Sequence, residues 1–135
     1  SAAAWDRAGR RLAVGTMTGG RAALTVFTWP GGTRELEALI DDVDEIYGPT
    51  WSPDGQSVAF SAMAGGVTDL FVYELEGKRL RRLTDDAFAD LHAAWEPAGH
   101  RIAFVTDRFT TNAKLLNAGD YRLAMRGLTT NVATP

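Results

Sequence analysis

The sequence predicts an all-β protein of the β-propeller class: three four-stranded antiparallel blades, half of a six-bladed propeller. Three observations carry this. Tryptophans recur at Trp5, Trp51 and Trp95, 46 and then 44 residues apart. After each one the same residue types return at fixed offsets: Gly9, Gly55 and Gly99; Leu12, Val58 and Ile102; Ala13, Ala59 and Ala103; Val14, Phe60 and Phe104. Within each period short apolar runs alternate with turn residues, and four strands in a repeat of about 44 residues select a propeller blade over a sandwich. The expected blades are 1–44, 45–88 and 89–135, the third with an insertion at 108–119.

Composition bounds the rest. The chain has 135 residues, 45% of them hydrophobic and 23% charged, the balance of a folded domain rather than a disordered tail. Fourteen basic against 17 acidic side chains give a net charge of −3, so no basic surface for nucleic acid is advertised. No run approaches the roughly 18–20 apolar residues of a bilayer-spanning helix, and no membrane insertion is expected. The absence of cysteine excludes disulfides, thiolate metal sites and cysteine nucleophiles. No charged-then-apolar leader opens the sequence, so a secretion signal is expected to be absent or already removed.

In the first repeat, Trp5 ends a short strand and Asp6-Arg7-Ala8-Gly9 turns the chain into the strand around Leu12. Gly19-Gly20 reverses it again, and Leu24-Thr25-Val26-Phe27 forms the third strand. The fourth is ambiguous. Between Thr33 and Tyr47, residues Leu36, Leu39, Ile40 and Val43 fall at helical spacing. The repeat instead places a strand at about Thr33 to Leu39, and register over three copies outweighs propensity in one window.

The second repeat is the clearest. Gly48 to Ser52 is a strand, and Pro53-Asp54-Gly55 a turn, because proline presets φ, aspartate bonds nearby backbone and glycine accepts positive φ. Ser57 to Met63, Asp69 to Leu75 and Arg79 to Thr84 follow, separated by Gly65-Gly66 and Gly77. In the third, Trp95 and the turn Pro97-Ala98-Gly99 precede Ile102-Ala103-Phe104. The next strand, Tyr121 to Met125, is delayed by the insertion, and Val132-Ala133-Thr134 fits an outer strand.

The run Trp51-Ser52-Pro53-Asp54-Gly55, followed by Val58-Ala59-Phe60-Ser61, Asp69-Leu70-Phe71-Val72-Tyr73 and Arg82-Leu83-Thr84, resembles the repeat of TolB-like β-propellers. Trp95-Glu96-Pro97-Ala98-Gly99 with Ile102-Ala103-Phe104 repeats it, and the first copy, Asp6-Arg7-Ala8-Gly9, has lost the proline. Asp90 fits the family's acidic position, a backbone-capping role; the second copy departs from it with Ile46. The resemblance implies a rigid docking platform of the bacterial envelope, periplasmic or extracellular. It also implies kinship with the propellers that gate serine peptidases of the prolyl oligopeptidase type. Closed members usually carry six or more blades, against three here.

Little in the sequence points to catalysis. A G-x-S-x-G nucleophile elbow is absent, and Ser52 and Ser57 are explained by the blade turn. His92 and His100 are the only histidines; His92 opens an inner strand, where it could face a channel. Asp41-Asp42, Asp44-Glu45 and Asp85-Asp86 could bind calcium, but they read more simply as polar turns, and no metal or cofactor is expected. Lys78, Arg79, Arg81 and Arg82 read as a charged, protected edge strand.

The residues assigned to the repeat framework are Trp5, Gly9, Trp51, Pro53, Asp54, Gly55, Asp90, Trp95, Pro97 and Gly99, with the three tryptophans as buried wedges. Candidate binding residues are those outside it: Trp29, His92, and Phe109, Leu115 and Leu116 of the insertion. The expected function is a non-catalytic scaffold that binds a protein partner or itself. A homodimer closing a six-bladed ring is expected, through exposed faces carrying Leu12, Val14, Ile102 and Phe104. The alternatives are the propeller of a prolyl-oligopeptidase-type serine peptidase whose catalytic domain lies elsewhere, and a carbohydrate-binding propeller.

Overall fold

The computed structural model describes residues 3–84, 90–106, 122–128 and 133–134. All the regular structure among them is strand. The first sheet runs β1 (Ala3–Trp5), β2 (Arg11–Thr18), β3 (Arg21–Thr28) and β4 (Arg34–Leu39), each antiparallel to the next. The second is β5 (Glu45–Trp51), β6 (Ser57–Ala64), β7 (Val67–Glu74) and β8 (Arg79–Arg82), in the same order. The third is β9 (Asp90–Trp95), β10 (Arg101–Thr106), β11 (Arg122–Gly127) and β12 (Ala133–Thr134). Three four-stranded antiparallel sheets are what the repeat demanded.

The local reasons are legible. Thr18 pairs with Arg21 and Ala64 with Val67, so Gly19-Gly20 and Gly65-Gly66 are two-residue hairpin loops. All four glycines have positive φ, between 57° and 81°, the condition for the primed turn whose twist matches the strands. The segment with helical spacing is β4, because β3 offers it a ladder from Ala23–Leu39 to Phe27–Arg34. Strand β5 begins at Glu45, earlier than expected, and carries a bulge between Tyr47 and Thr50 where Gly48 takes φ 52°.

The sheets pack face to face around two buried layers. Ala13, Leu24 and Val26 from the first sheet meet Trp51, Val58, Phe60, Phe71 and Tyr73 from the second. Phe60 and Phe71 stack with centroids 5.6 Å apart. The opposite face of the second sheet, Ala59, Leu70 and Val72, meets Ile102, Phe104 and Ala124 of the third. Alternation along each strand therefore gives every blade a face toward the preceding blade and a face toward the following one.

This polarity corrects two expectations. Ile102 and Phe104 are fully buried, because they face the second sheet. The outward face of the third sheet is instead the alternate register, Ala103 opposite Met125 and Val105 opposite Leu123, with Leu123 64% exposed. Trp5, expected as a buried wedge, is 51% exposed, whereas Trp51 is 7% exposed. The repeat tryptophan packs against the blade before its own, and among the described residues none precedes the first sheet.

Candidate functional site

Each blade turns from its first to its second strand through a box closed by residues one and six positions after or beyond the tryptophan: Asp6 with Arg11, Ser52 with Ser57, Glu96 with Arg101. Asp6 Oδ1 accepts hydrogen bonds from the Arg10 and Arg11 amides at 2.8 and 3.2 Å, and Oδ2 accepts from Arg11 Nε at 3.1 Å. Burial pushes the Asp6 carboxyl up, but these donors together hold it below its ordinary range. In the second box the Ser57 amide donates to Ser52 Oγ at 3.0 Å, and Ser52 Oγ donates to Asp54 Oδ1 at 2.6 Å. That hydroxyl, with the Gln56 amide, lowers the Asp54 carboxyl. In the third, Arg101 Nη2 donates to Glu96 Oε1 at 2.7 Å; this bond lowers the Glu96 carboxyl and raises the Arg101 guanidinium.

These boxes position the contacts between blades. Trp51 Nε1 donates to the Ala4 carbonyl at 2.9 Å, and Trp95 Nε1 donates to the Thr50 carbonyl at 3.0 Å. Each acceptor is the residue just before the preceding blade's tryptophan. Arg11, fixed by Asp6, lies over the Trp51 ring at 4.5 Å from its centroid and donates through Nη2 to the Gly55 carbonyl. Sequence reasoning missed this arm, although an arginine six residues after the tryptophan in two repeats was its visible signal.

The candidate binding residues are dispersed. Trp29 is 58% exposed at the end of β3 and meets Trp5 edge-on, with centroids 6.0 Å apart, a pairing the sequence did not announce. His92 is exposed on β9 with φ 55°, beside the irregularity between Ala103 and Val105. His100 is exposed in the third turn. Phe109, Leu115 and Leu116, with the whole 108–119 insertion, lie outside the described residues, as does the Asp85-Asp86 pair. Asp90 pairs through its backbone with Thr106. Pro53 packs beside Gly99, so the second and third turns touch. Among the described residues no cluster of three or more His, Asp or Glu could hold a metal ion. No helix there is long and apolar enough to cross a membrane.

Repeated sheets of this register, each seated on the last by a tryptophan, agree with the family to which residues 2–118 match, the TolB beta propeller domain. The chain belongs to that family. Its relatives include the Tol-Pal system protein TolB of Anaeromyxobacter dehalogenans, 37% identical over 92 residues, which are 68% of this chain and 20% of that protein. This TolB-like chain thus spans about a fifth of the length of these curated relatives. In fold it resembles TolB from Acinetobacter baumannii, with a TM-score of 0.74 at 21% identity over 99% of this chain and 31% of that one. It also resembles the prolyl endopeptidases, with a TM-score of 0.68 at 11% identity over 99% of this chain and 21% of theirs.

Proposed function

We propose that this TolB-like chain is a non-catalytic docking module of the bacterial envelope, periplasmic or extracellular. It binds protein partners on a propeller completed by two copies, six blades in all. The observation that supports this reading is the match of residues 2–118 to the TolB beta propeller domain, on sheets locked together by two buried cores into a rigid surface suited to protein contact. Relatives named for the Tol-Pal system make a protein of such a system the partner class to test. Titration calorimetry of the chain against purified Tol-Pal proteins from its own source should show saturable binding. No binding to any of them at about 100 µM, where a Kd of that order still gives a signal, would overturn the reading.

The likeness in fold to prolyl endopeptidases supports a second reading, a propeller beside a serine hydrolase domain. A G-x-S-x-G elbow followed by Asp and His in a longer reading frame, with peptidase activity in the longer protein, would favour it.

A further inference from the structure

The two junctions between sheets are built alike except for one side chain. At the first, Arg11 is tethered to Asp6, lies over the Trp51 ring and donates through Nη2 to the Gly55 carbonyl. At the second, Trp95 is the counterpart of Trp51, and Gly99 is that of Gly55, with φ 79° against 70°. The residue six positions after Trp51, where Arg11 stands after Trp5, is Ser57. Its side chain is too short to reach either target.

The exchange leaves a cleft of about 310 Å³ at the turns between the second and third sheets. Ser57, Trp95 and Gly99 share its wall with Ser52, the counterpart of Asp6, and with Asp54. The corresponding cleft at the first junction has Arg11 in its wall and does not reach Trp51. Trp95 is accordingly half-buried, whereas Trp51 is buried. Among the described residues the guanidinium–ring contacts are Arg11 on Trp51 and Arg82 on Phe71, and no cation lies over Trp95.

The cleft is also charged for a cation. Asp54 Oδ1 accepts from both the Ser52 hydroxyl and the Gln56 amide, which leaves Oδ2 to a ligand. Glu74 and Glu76 line the adjoining cleft with Asp54 and Ser57. Arg81 is engaged by Glu74 and the Leu128 carbonyl. His100 is the other titratable side chain in the wall. An indole face, a carbonyl and a carboxylate together suit a guanidinium, planar and rich in N–H donors, better than the compact charge of an ammonium.

Deepening the docking-module reading above, on which it rests, we propose that this cleft receives an arginine side chain of the protein partner. The guanidinium lies over the Trp95 ring as Arg11 lies over Trp51, donates to the Gly99 carbonyl and faces Asp54, which stands in for the carboxylate of Asp6.

The probe is the peptide acetyl-Gly-Arg-Gly amide, titrated into the isotope-labelled chain and followed by NMR at about pH 8, where an imidazole is neutral. The Trp95 indole N–H and the Ser57 and Gly99 amides should shift saturably, with a Kd on the order of 1–10 mM for one anchored side chain. The citrulline peptide, equal in shape but uncharged, should bind about tenfold more weakly. Asp54→Asn keeps an acceptor for Ser52 and Gln56 and should weaken binding several-fold. Ser57→Arg supplies the missing arm from within, and should abolish the shifts while keeping the parent circular dichroism spectrum. Equal binding of the two peptides, or no shift at Trp95 by about 50 mM, overturns the proposal. Shifts that survive both substitutions overturn it as well. Binding of a Tol-Pal protein undiminished by Ser57→Arg overturns the cleft as its anchor and leaves the docking reading intact. Arginine-peptide binding by a chain that takes up no Tol-Pal protein upholds the cleft and counts against the docking reading alone.

Discussion

Trp51 shows how much a single position of the repeat does. Its ring fills the first core, its Nε1 holds the Ala4 carbonyl, and Arg11 covers its face. Trp51→Ala should therefore cost about 3–5 kcal/mol, read as a lowered Tm by calorimetry; an unchanged Tm would contradict the wedge role. Asp6 makes a pH-dependent prediction. Its carboxyl lies below the ordinary 3.8, so the ionised form stabilises the fold. That contribution is complete above about pH 4 and is lost as pH falls through the folded value. Asp6→Asn should melt below the parent at neutral pH, and the gap should narrow as the pH falls below about 4. A gap that stays constant on acidification would mean the charge is irrelevant.

Between elements, the spacing of β2 from β5 rests on a residue with no side chain. A Cβ added at Gly15 would stand 2.9 Å from the Ile46 carbonyl oxygen, which is backbone and cannot swing aside. Gly15→Ala should push the first two sheets apart and cost about 1–3 kcal/mol, the range of overpacked cores. Denaturant unfolding measures it, and a neutral or stabilising result would show that the sheets slide freely. The outer strand β8 is fastened differently. Asp69, 4% exposed, accepts from Thr84 Oγ1 at 3.1 Å and pairs with Arg82, tying the strand's end back onto β7. The basic run read as a protected edge thus includes two residues with structural partners, Arg82 and Arg81, whose Nη2 donates to the Leu128 carbonyl at 2.8 Å.

Among the described residues the stack is linear: the second sheet contributes to both cores, and the outer two share none. Stability in such arrays approximates a sum of units and nearest-neighbour interfaces. Phe104→Ala should therefore loosen β9, β10 and β11 far more than β2 and β3, read by hydrogen exchange. Equal acceleration in all three sheets would show one indivisible cooperative unit.

The sequence by itself determined the blade. A repeat of tryptophan, turn glycine and alternating apolar strand was enough to predict three four-stranded sheets. It also turned the 33–39 segment to strand against its own helical spacing, since the ladder offered by β3 is a tertiary partner that the repeat encodes indirectly. Only the tertiary structure decided which side of each strand is open. Period-two alternation marks two faces but does not say which meets the preceding blade. Ile102 and Phe104 therefore proved to be core, while Leu123 and Trp5 lie exposed. The Arg11 arm was hidden for the same reason: its targets, Trp51 and the Gly55 carbonyl, lie 40 and 44 residues away and are brought to it only by the stacking of one sheet on the next.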